Sequence, residues 1–488
     1  MNRHLLSNLQ SILLSRKLLW LMILALLWVV SLIIIPKIPT AYPAVDSKIM
    51  ALRVMICAFL AVAALNRKRL VKPKWCFTDT VYALMAGVFI ISAAVSATAA
   101  YSFYQSWHIL GLIFVSWTLS RLTLSFAELR ATAWIIATLG LLASLYGIST
   151  YTGFDVLKSL YPFDFDETQA GGRAYIHSFF GNPEHYAGYA GPAAVIILGL
   201  AFQSRMKPVA RAFWMICCIF TLLVVGLSGT RAAFLGFMVS AAIVFFAQIR
   251  FLAPAWRKAA WMSLIGGGVF VSLVVVVLST PNPLNVRDMR LMNRFADIGN
   301  TQSASVRERV IFYITTVASI PNNPVFGHGP GTFRLHFFHN VKAVVDNDDR
   351  AGSTMMVQEL DRRLAEHAHN DYFEIWFEQG TAGFAMFLLL ICHAGVSFAV
   401  LLRRAKPMIS ENHFSANHIG LTITFFAAMT ALFINAMASF PFHMPARSTL
   451  AWVIIGAYFS VVRQATGINA TAPVSKPVHN QTRAIAEA

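Results

Sequence analysis

HAHNDYFEIWFEQGTAGFAMFLLLICHAGVSFAVLL, residues 367–402, begins as a polar segment and continues directly as a long apolar one. A helix needs about 20 predominantly apolar residues to cross the hydrocarbon core of a bilayer. Residues 371–402 meet this length and carry charged residues only in their first part. The stretch therefore predicts a membrane-spanning helix and indicates an integral membrane protein. Its glycines, Gly380 and Gly383, would let another backbone or a lipid come close.

The rest of the chain has the same character. It has 488 residues, of which 57% are hydrophobic and 12% are charged, whereas a soluble domain carries roughly 25% charged residues. We predict an all-α integral membrane protein in which about twelve apolar segments are long enough to span the bilayer. The predicted segments are 18–35, 49–65, 78–97, 105–120, 131–150, 186–203, 212–227, 232–249, 259–280, 371–402, 418–437 and 447–463.

The distribution of basic residues predicts the orientation of these helices. The formal net charge of +17 would suggest a nucleic-acid partner in a soluble protein, but here the basic residues lie beside apolar segments, so we expect none. Lys and Arg are concentrated in alternate connections, such as 66–74, 203–211 and 403–406. The positive-inside rule places these connections and both termini in the cytoplasm. The other connections, including 281–370, are then predicted to lie outside it.

Four regions follow from this topology. We expect nine helices in 1–280, a large loop outside the cytoplasm in 281–370, three helices in 371–463 and a disordered cytoplasmic tail in 464–488. Within the large loop, helical patterns occur at 303–320 and 355–368, and a Gly/Pro-rich turn is predicted at 323–333. Residues 18–35 lack an A-x-A-like cleavage site, so we interpret them as a retained first span. The cysteines lie in or next to predicted spans, and we expect no disulfide framework.

His369 is the first candidate for chemistry. A histidine at a membrane boundary can take a proton from a hydroxyl near neutral pH. From its spacing alone, His369 is better explained as a residue that caps or anchors a helix at the interface. His367 and His369 form an H-x-H pair that could bind a metal with Glu366 or Asp371, but zinc needs three or four ligands in a defined geometry. We predict no metal and no cofactor.

Outward-facing arginines are the second set of candidates. Arg231 occurs in LSGTRAAFLGF, Arg307 and Arg309 in SASVRERVIFY, and Arg173 in GGRAYIHSFFGNPEHYAGY. Each could simply extend to the interface or to solvent. However, guanidinium is the natural partner of phosphate through bidentate hydrogen bonds. Residues at i and i+2 of a helix face different ways, so the sequence does not decide between Arg307 and Arg309.

Cations and a potential base on the outer side suit a lipid-anchored substrate with a phosphate headgroup. The sequence has no nucleotide-binding motif, and an outward site would lack ATP. The energy for any synthesis would then come from the substrate itself, for example from a lipid pyrophosphate.

Several of these segments resemble the O-antigen ligase family, within the wider O-antigen ligase and polymerase superfamily. The resemblance rests on H-N-x9-G-x-x-G at 369–383, R-x3-L at 231–235, GNPE at 181–184, and Arg309 to Tyr313 followed by NNPVFGHGPGTF. It covers residues 171 to 460. Glu184 stands where the family often has Asn, which leaves the role of that turn open.

The resemblance implies a periplasmic, inverting, metal-independent glycosyltransferase of the bacterial inner membrane. The donor would be a glycan on undecaprenyl pyrophosphate, and the acceptor a hydroxyl of the lipid A-core. His369 would act as the base. The implied pyrophosphate-binding residues are Arg231 and Arg309, with Arg307 and Arg173 as second choices, and the supporting residues are Asn370, His367, Asn182 and His177.

Three other functions remain open at this point. A polymerase differs in using another lipid-linked glycan as its acceptor, and a protein O-oligosaccharyltransferase uses a protein Ser or Thr. A lipid-glycan exporter would need charges distributed through the middle of the membrane. Arg53 is the one basic residue predicted well inside a span, so the charge pattern favours a transferase.

Overall fold

The structure is a computed structural model that describes most of the chain. The described ranges are 15–35, 43–71, 73–157, 175–203, 206–251, 254–277, 279–282, 304–337, 366–411 and 413–465. Within these ranges the secondary structure is helical, and no β-strand occurs in them. The predicted all-α class is therefore confirmed for this part of the chain.

The α-helices are numbered here in chain order. They are α1 (Arg16–Leu32), α2 (Pro43–Leu65), α3 (Arg67–Val71), α4 (Phe77–Val95), α5 (Ala99–Arg121), α6 (Phe126–Tyr151), α7 (Pro183–Ala201), α8 (Pro208–Leu227), α9 (Arg231–Gln248), α10 (Pro254–Val277), α11 (Ala304–Ser319), α12 (Asp371–Ser410), α13 (Ala416–Ala436) and α14 (Pro445–Ala465). Short 3₁₀ turns occupy Ser178–Phe180, Ile249–Phe251 and Ile320–Asn322.

Each of the twelve predicted segments overlaps one helix: α1, α2, α4 to α10, or α12 to α14. In the described part of the chain, eight helices are long and apolar enough to cross a membrane, namely α2, α4, α6, α8, α9, α12, α13 and α14. These eight helices make the chain a multi-pass membrane protein. The helices α1, α5, α7 and α10 do not meet these limits, so twelve spans stay a prediction.

The surroundings of α7 explain why its composition is less apolar. Nearly every residue of α7 is buried, and the helix packs against α6, α8, α9 and α13. A Cβ atom on Gly199 would lie only 2.0 Å from Oγ1 of Thr424 in α13. Small residues allow membrane helices to approach this closely. Because α7 contacts protein on all sides, its side chains need not be lipid-soluble.

A buried ion-pair network ties three helices together at one end of the bundle. Asp79 of α4 contacts Nη1 of Arg121 in α5 at 2.5 Å. Arg463 of α14 donates to both carboxylate oxygens of Asp79, at 2.8 and 2.7 Å. Removing one partner of such a network leaves an uncompensated buried charge. The network therefore holds the last turns of α14 in place.

Helix α12 is broken at Gly380, where a loop from earlier in the chain inserts. Gly380 has φ 65° and ψ −170°, which interrupts the helical hydrogen bonding. The loop replaces these bonds: Thr381 N–H donates to the Pro324 carbonyl at 2.9 Å, and Gly329 N–H donates to the Glu378 carbonyl at 2.7 Å. Broken membrane helices are tolerated where neighbouring protein satisfies the freed backbone groups.

Only part of the predicted large loop falls within the described residues. Helix α11 coincides with the helical pattern predicted at 303–320. Most of the second predicted helical pattern, 355–368, and nearly all of the predicted tail lie outside the described residues. The boundaries of the four regions therefore stay predictions.

Candidate functional site

Two helices begin at the same end of the bundle, which we call the site end, and each is capped by an asparagine. Asn182 caps α7 by accepting from Glu184 N–H at 2.7 Å. Asn370 caps α12 by accepting from Tyr372 N–H at 2.9 Å. Asparagine is among the best N-cap residues, because its side-chain oxygen satisfies a free N–H of the first turn. Both residues thus have a structural role, because they fix the helix starts beside which Glu184 and His369 lie.

His369 lies directly before α12 in a left-handed conformation with φ 53°. Its ring stacks on Phe312 at 5.8 Å and meets the edge of Phe440 at 4.9 Å. Its carbonyl accepts from the Tyr313 hydroxyl at 3.4 Å. About a third of the side chain (34%) is exposed. The ring is thus held from both sides while it stays accessible.

Glu184 of α7 connects His369 to Arg309 of α11. Its Oε1 lies 3.8 Å from Nδ1 of His369, and its Oε2 lies 3.6 Å from Nη2 of Arg309. Both distances are longer than a hydrogen bond but short enough for an ion pair. Hydrogen bonds of catalytic groups are often long in unliganded structures. Glu184, where the sequence departs from the family pattern, is therefore the residue that brings a predicted base and a predicted cation together.

Arg231 is the first residue of α9. Contacts of the residues that follow it place its backbone near the site end. A Cβ atom on Gly191 of α7 would lie 3.5 Å from the Ala233 carbonyl, and one on Gly236 would lie 2.8 Å from the Ala431 carbonyl in α13. The backbone of Arg231 therefore lies at the level of the first turns of α7 and the last turn of α13. Its side chain is half-buried.

Arg447 is a further arginine at the site end, and the sequence analysis did not single it out. It lies in the first turn of α14 and is only 1% exposed. Its Nη1 donates to Ser439 Oγ at 2.7 Å, and its guanidinium lies 5.0 Å from the centre of the Phe440 ring. Like Arg231, Arg447 lies at the outer end of a predicted span, so the sequence carried the same signal for both residues.

Comparison with known families adds independent information about this region. Residues 216–388 match the O-antigen ligase family model. This match confirms the resemblance stated from sequence motifs and indicates a function of the O-antigen ligase and polymerase type. A search of curated proteins finds no match.

The O-antigen ligase match covers about a third of the chain and runs from α8 into α12. It contains Arg231, Arg309 and His369. It contains neither Glu184 nor Arg447, which approach the matched region from α7 and α14. The site end is therefore built from the matched region and from helices on either side of it.

A cluster of buried acids lies beside the O-antigen ligase motif at His369. His443, in the connection between α13 and α14, places Nδ1 2.5 Å from Asp371 and Nε2 3.4 Å from Glu378. Burial alone would lower the pKa of His443, but the carboxylates of Glu374 and Asp371 raise it well above its ordinary value. This raised pKa favours the imidazolium form of His443, whose charge offsets part of this acidic cluster.

His367 also belongs to this cluster. Its Nδ1 lies 2.6 Å from Glu374 Oε1, and its ring stacks on Phe440 at 4.3 Å. The other oxygen of Glu374 accepts from Ala368 N–H at 2.9 Å. Asn370 Nδ2 donates to the Met437 carbonyl at 2.9 Å. The residues on both sides of His369 are thus fixed, and His367 supports the position of His369.

Glu374, Glu378 and His443 offer ligand atoms within 4.8 Å of one another, so this group could hold a metal ion. His443 would have to lose a ring proton before it could bind such an ion, because both nitrogens of an imidazolium carry protons. The H-x-H pair considered from the sequence does not converge on one point. His367 faces Glu374, whereas His369 faces Glu184.

The structure separates His177 from the other predicted site residues. His177 lies 3.5 Å from Asp155 Oδ2 and meets the edge of Tyr146, and no contact described for it reaches His369. Burial lowers the pKa of His177, which favours a neutral, structural imidazole. Arg173 and the side chain of Arg307 lie outside the described residues.

Proposed function

We propose that this protein is a periplasm-facing, inverting glycosyltransferase. It moves a glycan from undecaprenyl pyrophosphate to a hydroxyl of the lipid A-core. The proposed topology has twelve spans in the inner membrane, both termini in the cytoplasm and the site end in the periplasm. The O-antigen ligase match supports the reaction class, and the alternation of basic connections supports the orientation.

The observation that carries this proposal is the meeting of His369, Glu184 and Arg309. They come from three different helical regions and lie at the end of the bundle where α7 and α12 begin. A base, a carboxylate that can orient it and a cation are the groups that transfer from a pyrophosphate requires. Their convergence would not follow from a purely structural role for each residue.

His369 acts as the general base in this proposal. Its Nδ1 faces Glu184, so Nε2 is the nitrogen that accepts the proton of the acceptor hydroxyl. The hydroxyl oxygen then forms a bond to the anomeric carbon, and the bond from that carbon to the phosphate oxygen breaks. Undecaprenyl pyrophosphate leaves with the bonding electron pair. Glu184 stabilises the imidazolium, as the carboxylate does in hydrolase triads.

Arg231 and Arg309 stabilise the charge on the departing pyrophosphate. Guanidinium groups bind phosphate oxygens through parallel hydrogen bonds. Removing one preorganised donor of this kind costs about 2.7–4 kcal/mol of transition-state stabilisation. A pyrophosphate is already a good leaving group, so the proposal needs neither a separate general acid nor a metal ion at His369.

Deletion of the gene in its host, with and without a plasmid copy, tests the proposed reaction and its acceptor. Gels of lipopolysaccharide and extracts of lipid-linked glycan are compared between the two strains. We expect core lacking O-antigen together with accumulated lipid-linked polymer, because transfer to the lipid A-core would be blocked.

The other outcomes of this experiment would replace the proposed acceptor. Core that carries a single repeat unit would indicate a polymerase. Unchanged lipopolysaccharide with unglycosylated proteins would indicate a protein O-oligosaccharyltransferase. Unchanged glycans of every kind would contradict a transferase altogether.

A further inference from the structure

Helix α14 carries two buried arginines, of which one is paired directly with a carboxylate and the other is not. Arg447 near its start and Arg463 near its end are each 1% exposed. Arg463 forms a two-pronged pair with the Asp79 carboxylate. Among the described residues, no carboxylate lies within ion-pair distance of Arg447. The carboxylates of Glu184 and Asp371 attract Arg447 only from a longer distance. A buried guanidinium without a directly paired counter-charge is costly, so Arg447 is suited to hold a bound anion.

A second buried residue with free hydrogen-bonding atoms, Asn435, lies close to the side chain of Arg447. Nε and Nη2 of Arg447 have no hydrogen-bond partner, and neither the nitrogen nor the oxygen of the Asn435 amide has one. Asn435 is also 1% exposed. Buried polar groups are nearly always hydrogen-bonded in native proteins. Two neighbouring exceptions indicate a shared ligand.

Gly188 of α7 forms the third side of this pocket. A Cβ atom there would lie 2.9 Å from Nη1 of Arg447 and 3.0 Å from Oδ1 of Asn435. Both groups therefore approach the α7 backbone at a point where only glycine leaves them room. We define Gly188, Asn435 and Arg447 as the arginine pocket.

The arginine pocket adjoins the proposed reaction centre. The Phe440 ring lies 5.0 Å from the guanidinium of Arg447 and 4.9 Å from the ring of His369. Glu184, which pairs with His369, lies one turn before Gly188 on α7. A ligand in the pocket would thus lie close to the aromatic ring that also contacts the proposed base.

We propose that the arginine pocket binds a phosphate of the polyprenyl pyrophosphate donor. This inference rests on the proposed function, which it deepens by naming a binding site for the leaving group. The free guanidinium N–H groups of Arg447 and the amide N–H of Asn435 donate to phosphate oxygens. Guanidinium is suited to this ligand because its donors match phosphate geometry in a fixed plane.

Asn435→Asp provides a sharp test, because it places a carboxylate beside the free donors of Arg447. The probe is undecaprenyl pyrophosphate, titrated into purified full-length protein in phosphatidylcholine nanodiscs. We expect the Kd of the variant to rise at least tenfold, because the new carboxylate occupies and repels the phosphate position. Its thermal stability should equal or exceed that of the natural protein, since Arg447 gains a partner.

Two further variants complete the comparison. Arg447→Gln should also weaken binding at least tenfold. Arg334→Gln, which removes an exposed arginine paired with Glu366, should leave the Kd unchanged and controls for the loss of one positive charge. Phosphatidylglycerol in excess should not displace the probe, because an ordinary phosphate headgroup lacks the second phosphate.

Two results would overturn the inference. One is a natural Kd for a stable Asn435→Asp protein, and the other is full displacement of the probe by phosphatidylglycerol. The transfer reaction is judged separately. Binding that depends on the arginine pocket, without any glycan transfer, would leave this site intact and contradict the proposed function. Glycan transfer with unchanged donor binding in both pocket variants would support the proposed function and overturn the arginine pocket as a phosphate site.

Discussion

His369 holds a backbone conformation that non-glycine residues rarely adopt. A φ of 53° costs of the order of 1–3 kcal/mol, and such residues persist where surrounding structure fixes them. Glu374 fixes the preceding residues through His367 and Ala368, and Asn370 is fixed by the connection before α14. Residues of this kind cluster at active sites, which agrees with a catalytic role for His369.

The sequence predicted His369 and Arg309 separately but not the residue that joins them. Glu184 lies far from both in the chain, and in the sequence it was a departure from the family pattern with an open role. The sequence places both residues on the same side of the membrane, but it holds no sign of a contact between them. Asn435 was missed because burial without a partner is a property of packing and not of composition, whereas Arg447, at the outer end of a predicted span, carried the same sequence signal as Arg231.

Glu184→Gln tests the role of the joining carboxylate at the residue scale. We expect kcat to fall roughly 10- to 100-fold, because the imidazolium formed in the transition state loses its counter-charge. KM for the donor should stay the same or fall, since Arg309 loses a competitor for the phosphate. Initial rates over a range of donor concentrations separate these two constants.

Glu366→Gln is the matched control for this variant, because Glu366 is a partly exposed carboxylate of the same region that pairs with Arg334. It should leave both constants unchanged. A Glu184→Gln protein with natural kcat would remove Glu184 from the mechanism.

At the scale of elements, α12 begins next to His369 at the candidate site and continues as one of the membrane-spanning helices. The sequence predicted that the glycines after His369 let another backbone approach, and Gly380 confirms this. A Cβ atom there would lie 2.3 Å from the Val325 carbonyl. The turn predicted at 323–333 is the segment that approaches. The break in α12 itself was not predicted, because an isolated glycine in an apolar run also occurs in continuous membrane helices.

Gly380→Ala should destabilise the protein by at least about 2 kcal/mol, because alanine resists positive φ and its methyl group would overlap the inserted loop. The measurement is the thermal midpoint of the purified protein in detergent. Gly395→Ala is the matched control in the same helix, since a Cβ atom there would meet nothing within 4 Å. Equal midpoints for the two variants would contradict the proposed role of the break.

At the scale of the whole molecule, hydropathy predicted helix positions well, whereas the orientation predicted from basic residues stays a prediction. All twelve predicted segments overlap helices, because the length of an apolar run directly limits where a helix can cross a bilayer. The sequence did not distinguish helices that face lipid from helices such as α7 and α14, which other helices surround. That difference depends on tertiary packing, which a single apolar pattern does not encode.

Charges inside the bundle bear on the choice between the proposed transferase and an exporter. Arg53, the basic residue predicted within a span, donates to the Tyr104 carbonyl at 2.6 Å. Arg121 and Arg463 are paired with Asp79 at the end opposite His369. In the described part of the chain these charges are engaged in contacts between helices. They do not form a continuous path across the bundle, which favours chemistry at one end.

The central claim is that His369 removes the acceptor proton at the outer face. The most direct measurement compares natural protein, His369→Ala and His413→Ala in nanodiscs supplied with lipid-linked glycan and lipid A-core. His413 is an exposed histidine paired with Glu411 and serves as the control. The account predicts that His369→Ala binds the donor normally but transfers glycan at least about 10²-fold more slowly, while His413→Ala behaves as the natural protein. Transfer by folded His369→Ala protein at a rate near the natural one would contradict the account.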